Sequence, residues 1–205
     1  MKNFLFMSGL ACVVLSVITG CANSPATRFY VLSSPPDIRE MAGKTSDNCP
    51  TIGIGPIVVP PYLTKSQIAT TPSENEISYA PFDQWAQPLP GNLSHVLAEN
   101  ISKFACSKAI YQFPWIGARE PDYRVRVEIV SMTGILESKA SIEAWWTISE
   151  TQEKKVILSS RRRYIEPVHG RDYQALVQAY SRILAALSRD VAMAIPGPRI
   201  PRPGP

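Results

Sequence analysis

Tyr123-Arg124-Val125-Arg126-Val127-Glu128-Ile129 alternates without a break. Tyr123, Val125, Val127 and Ile129 fall on one side; Arg124, Arg126 and Glu128 fall on the other. A period of two marks a β-strand with one face on a core and one in water. Ile142, Ala144, Trp146 and Ile148 repeat the pattern downstream, Glu150 to Lys155 forms a polar turn, and Val156 to Ile165 makes a further strand. Three such segments in succession predict an antiparallel meander with one covered face.

Outward from the meander the period changes to that of a helix. Tyr173, Leu176, Tyr180, Ile183, Leu184, Leu187 and Val191 share one helical face, and Pro196 ends it. Upstream, Leu89, Leu93, Val96, Leu97, Ile101 and Phe104 predict a first amphipathic helix, closed by Ser107 and Lys108, with a brief strand at Ala109 to Gln112. Thr51 to Val59 is apolar and β-branched, the pattern of a buried strand stopped by Pro60-Pro61. Gln67 to Thr71 and Glu76 to Tyr79 read as a hairpin, and Arg28 to Leu32 as the first strand. The order predicts an α/β chain of the α+β kind: a single mixed sheet with two amphipathic helices packed on it.

The N-terminus has another character. Lys2 precedes an apolar run from Phe4 to Ile18. That run is shorter than the roughly 20 residues of a membrane span and fits the core of a signal peptide. Ile18-Thr19-Gly20-Cys21 resembles the bacterial lipobox, which implies cleavage between Gly20 and Cys21 and acylation of the Cys21 thiol. One acyl chain anchors only marginally, so stable anchoring takes more than one. Ala22 rather than Asp after the cysteine favours sorting to the outer membrane. The expected organisation is a signal peptide over 1–20, a lipidated tether over 21–27, a folded domain over 28–195 and a proline-rich tail over 196–205.

Cys12 leaves with the signal and Cys21 takes the lipid, so Cys49 and Cys106 remain. In an oxidising compartment they form either a disulfide or two free thiols. The formal net charge of +4 is a mild excess with no long basic block, which gives nucleic-acid binding no support. Arg161-Arg162-Arg163 is the densest basic run; on a strand Arg161 and Arg163 share one face and Arg162 takes the other. It is either a solvated strand end or a contact for lipid headgroups or an acidic partner. Phe82 and Trp85 are either core packing or an aromatic contact surface. His95 and His169 are isolated, and no zinc spacing, nucleophile elbow or phosphate loop is present. Gly53 and Gly55 lack the third glycine and following helix of a dinucleotide site. Asn92-Leu93-Ser94 and Asn100-Ile101-Ser102 match glycosylation sequons but fall within the first helix.

Several stretches together resemble one family. They are Phe29-Tyr30-Val31-Leu32 after the lipobox, Ile52-Gly53-Ile54-Gly55-Pro56-Ile57-Val58-Val59-Pro60-Pro61-Tyr62-Leu63, and Gln67-Ile68-Ala69-Thr70. Phe82-Asp83-Gln84-Trp85-Ala86-Gln87-Pro88-Leu89 and Ala144-Trp145-Trp146-Thr147-Ile148 complete the set. They resemble the PqiC-type, or ABC-type transport auxiliary, lipoproteins. The resemblance implies a fold like the N-terminal domain of TolB. It implies the outer-membrane end of a Pqi lipid-transport route, with an MCE-domain periplasmic protein and an inner-membrane Pqi component as partners. No cofactor is implied, and no enzyme; a homo-oligomer would suit a symmetric conduit. The alternative is a stand-alone periplasmic lipid carrier, which requires an apolar pocket.

Overall fold

In the computed structural model the described residues are 25–36, 46–115 and 120–197. Gly20, Cys21 and nearly all of the 196–205 tail lie outside them.

The alternating segment becomes the axis of a five-stranded sheet. The strands are β1 (Arg28–Tyr30), β2 (Thr51–Val58), β3 (Gln67–Ser73), β4 (Glu76–Trp85), β5 (Ala109–Gln112), β6 (Tyr123–Gly134), β7 (Lys139–Glu150) and β8 (Lys155–Pro167). The helices are α1 (Leu89–Phe104) and α2 (Tyr173–Ala194). The large sheet runs β5-β2-β6-β7-β8. β6, β7 and β8 form the antiparallel meander, with Val125 opposite Ile148 and Val127 opposite Trp146. β2 lies between two parallel neighbours, β5 and β6.

β6 runs five residues past the point where its alternation stops. An irregularity between Ile129 and Ser131 adds one residue, after which Met132 takes up the buried side. The bulge hides the continuation of the strand from a period-two reading.

The expected single sheet is in fact two sheets. β1, β4 and β3 form a separate three-stranded sheet. The cause lies along the upper edge of β6. Pro60 and Pro61 end β2, and the chain reverses through a 3-10 turn at Pro61–Leu63. Beyond that point β7 still pairs with β6 on one side, but no described strand pairs with its β2-side edge; two side-chain hydroxyls take backbone groups there instead. The Tyr62 hydroxyl accepts from Met132 N at 3.0 Å and lies 3.2 Å from Met132 O. The Thr71 hydroxyl accepts from Gly134 N at 3.1 Å. With those groups satisfied, β3 turns away to pair with β4.

One face of the large sheet is covered. α1 packs on β2 and β5, α2 packs on β7 and β8, and the helices touch each other. Leu93, Val96, Leu97 and Ile101 from α1 meet Leu176, Ile183, Leu184, Leu187 and Val191 from α2 over Ile52, Ile54, Val125, Val127, Ile142 and Ile148. Asp172 caps α2 by accepting from Ala175 N at 2.8 Å.

The strand nearest the N-terminus is fastened at several points. β1 pairs parallel with β4. Asp83, 4% exposed, accepts from the Tyr30 hydroxyl at 2.7 Å and from Arg28 Nε at 2.8 Å. Burial, then the bond to Asp83, pushes the Tyr30 hydroxyl up to about 12. Leu32 is not part of the strand: its N–H donates to Asn92 Oδ1 at 2.7 Å and its carbonyl accepts from Asn92 Nδ2 at 3.1 Å. Ser33 N donates to the Ser181 hydroxyl at 3.2 Å. Both helices therefore hold the entering chain. A disulfide joins Cys49, just before β2, to Cys106, just after α1, with the two Cα atoms 5.5 Å apart.

Candidate docking surface

The face of the large sheet away from the helices divides into two. Over β2 it is capped by the chain that follows β5. A Cβ on Gly53 would sit 2.5 Å from Pro121 Cγ and 2.8 Å from the Trp115 ring, so this glycine is where the cap lies flat on the strand. Gly55 has φ of +114°, a conformation that other residues rarely adopt, and Pro56 falls at the irregularity in the β2–β6 ladder. These requirements explain the Gly-x-Gly-Pro stretch. Arg124 lies over the Trp115 ring at 5.1 Å.

Over β6, β7 and β8 no described residue covers the same face. Arg126, Glu128, Trp145, Thr147, Ser149 and Ser159 line an open depression of about 410 Å³. Trp145 is 48% exposed, and its indole is held in place by Nε1 donating to the Ser159 hydroxyl at 2.6 Å. Ser159 and Thr147 hydroxyls lie 3.0 Å apart.

The arginine run divides between the faces. Arg161 and Arg163 lie on the bare face, and both hold Glu143 opposite them: Arg161 Nε to Oε1 at 2.7 Å and Arg163 Nη2 to Oε2 at 2.6 Å. Hydrogen bonds from Arg163 and Arg161 hold the Glu143 carboxyl below its usual range. Arg162 lies on the helix side, where Nη1 donates to Asp190 of α2 at 3.0 Å. The Tyr164 hydroxyl donates to the same carboxylate at 2.8 Å, and burial, with this bond, raises its pKa. All three guanidinium groups thus have carboxylate partners, and the run is not a block of unpaired positive charge.

Phe82 and Trp85 are not an exposed aromatic pair. Trp85 is 6% exposed and part of the core cluster, because β4 turns Asp83 and Trp85 inward. Phe82 is half-buried on the other side of the strand. His95 and His169 are exposed on separate elements, and no group of His, Cys, Asp or Glu among the described residues is placed to hold a metal.

Sequence reasoning missed the distal tip. β8 is the outer strand of the large sheet, and Val156, Ile157 and Leu158 are exposed at its start. Met193, near the end of α2, is exposed beside them, sharing a groove of about 340 Å³ with Leu158. An apolar strip on a sheet edge offers unpaired backbone as well as side chains to a partner. The signal was present, since Val156-Ile157-Leu158 breaks the polar alternation expected of an outer strand.

A family model described as the ABC-type transport auxiliary lipoprotein component matches residues 30–192, most of the chain. The chain belongs to that family. That family is described as an auxiliary lipoprotein component of ABC-type transport, not as an enzyme family. Among solved structures, one described as an uncharacterized protein superposes with a TM-score of 0.67 at 16% identity, covering 82% of this chain and 97% of that one. Protein XCC0632 from Xanthomonas campestris superposes with a TM-score of 0.59 at 15% identity, covering 82% of this chain and 90% of that one. At these identities the likeness is one of fold. No curated protein matches the auxiliary lipoprotein in sequence.

Proposed function

We propose that this auxiliary lipoprotein is the outer-membrane subunit of a Pqi/MCE-type intermembrane lipid transport system. The signal peptide is removed after Gly20, Cys21 is acylated, and residues 21–27 tether the domain to the periplasmic side of the outer membrane. The domain docks the periplasmic end of an MCE conduit, whose inner-membrane Pqi component lies at the far end, and so supports envelope integrity. The family match over residues 30–192 carries this reading.

The architecture supports it through the placement of its two ends. β1 runs beside β4, and Ser33 after it reaches Ser181 of α2, so the described chain enters along the N-terminal half of α2. The apolar tip, where Leu158 and Met193 share a groove and Val156 is exposed at the start of β8, lies at the other end of that helix. α2 has 22 residues. At 1.5 Å per residue the two ends are separated by about 33 Å. A domain held at one end and apolar at the other is suited to bridging a membrane and a partner. A cyclic homo-oligomer would match the symmetry of a conduit.

The stand-alone carrier reading finds less support. The depression on the bare face is lined by charged and hydroxyl side chains around one indole, whereas an acyl chain calls for an apolar enclosure. Affinity purification of the tagged full-length protein in mild detergent separates the two readings. An MCE-domain protein should co-purify with the wild type and be lost from a Val156→Asp/Leu158→Asp variant. Recovery of the wild type without any MCE protein would end the assignment.

A further inference from the structure

β1 and the residue that follows it carry two large apolar side chains that nothing in the described chain covers. Phe29 is 64% exposed and Val31 is 51% exposed. The strand's alternation separates its two duties: Arg28 and Tyr30 turn inward to Asp83, and Phe29 and Val31 turn outward. β1 is also an outer strand of the small sheet. Only residues 22–28 separate Phe29 from Cys21. Eight residue steps of extended chain span at most about 29 Å.

We infer that Phe29 and Val31 rest in the interfacial layer of the bilayer that holds the lipid anchor, so that β1 is a membrane-seating strand. The inference rests on the proposed acylation of Cys21, and the length of chain between that thiol and the strand decides the occupant. A short tether keeps these side chains near one lipid surface at high effective concentration. Aromatic and aliphatic groups partition to the boundary between headgroups and acyl chains. Because β1 is fastened to Asp83, and Leu32 and Ser33 after it to Asn92 and Ser181, seating this stretch fixes the tilt of the whole domain. The tip at Val156, Leu158 and Met193 then projects away from the membrane.

The test uses the full-length acylated protein in vesicles of phosphatidylethanolamine and phosphatidylglycerol, with or without brominated acyl chains. An environment-sensitive fluorophore is placed on Phe29→Cys, on Val31→Cys, or on Glu153→Cys in the β7–β8 turn as the distal control. Brominated lipid should quench the labels at 29 and 31 at least twofold and leave the label at 153 unchanged. Equal responses at all three positions would overturn the inference. So would labels at 29 and 31 shielded from aqueous iodide but untouched by bromolipid, which would mean that another protein or a second copy covers the strand. Flotation with the vesicles is read separately: protein that fails to float has no anchor, and the inference then falls together with the acylation reading. Protein that floats while the labels at 29 and 31 stay unquenched by bromolipid removes the inference alone.

Discussion

Replacing both Cys49 and Cys106 with serine lowers the stability of the domain by about 4 kcal/mol, the loop-closure entropy of a bond spanning 57 residues in the chain-entropy model. The bond closes the chain from the entry of β2 to the exit of α1, a segment that holds all of β3, β4 and α1. Without it the unfolded chain regains that freedom while the folded state keeps its core. Thermal unfolding should fall by about 8–16 °C, taking about 2–4 °C per kcal/mol for a chain of this size. Reduction of the wild type should produce the same shift. A variant melting within about 2 °C of the wild type would mean that the bond contributes nothing through the unfolded state.

Asn92→Ala should cost about 3 kcal/mol although it removes no apolar contact. The side-chain amide satisfies both the N–H and the carbonyl of Leu32, which is itself buried. Truncation leaves two buried backbone groups without a partner, at about 1–3 kcal/mol each when water cannot replace the lost bonds. Urea unfolding measures it: the midpoint should fall with the slope unchanged. A loss under about 0.5 kcal/mol would mean that water enters and takes over both bonds, which would contradict a rigid clamp between the entering chain and α1.

The same residue shows what a sequence does and does not reveal. Asn92 is visible there as part of a sequon within a helix; its role depends on Leu32, sixty positions away. Periodic elements were legible because local alternation reports burial: the meander and both helices follow directly from it. The division into two sheets was not, because it depends on Tyr62 and Thr71 hydroxyls taking backbone groups of β6. Trp85 could be assigned to core or surface only by knowing that its neighbour Asp83 turns inward to Arg28 and Tyr30. A buried aspartate contradicts the simplest reading of Phe82-Asp83-Gln84-Trp85, and its partners lie more than fifty positions upstream.

The surface was partly legible in the same sense. The faces of Arg161, Arg162 and Arg163 follow from strand geometry alone. Their carboxylate partners, Glu143 on β7 and Asp190 on α2, come from other elements, and pairing changes the meaning of the run from a free basic patch to cross-strand and strand-to-helix ties. Exposed ion pairs of this kind add little to stability and serve register more than energy. The exposed apolar groups at β1 and at the start of β8 need the fold to be seen, since each is ordinary strand sequence until its neighbours are known.

Everything proposed for the function depends on one covalent event at the N-terminus, and intact-mass spectrometry of the protein purified from outer membranes of its native host tests it most directly. The account predicts a chain that begins at Cys21 and carries added acyl mass on that residue. An unmodified chain that still begins at Met1 would contradict it.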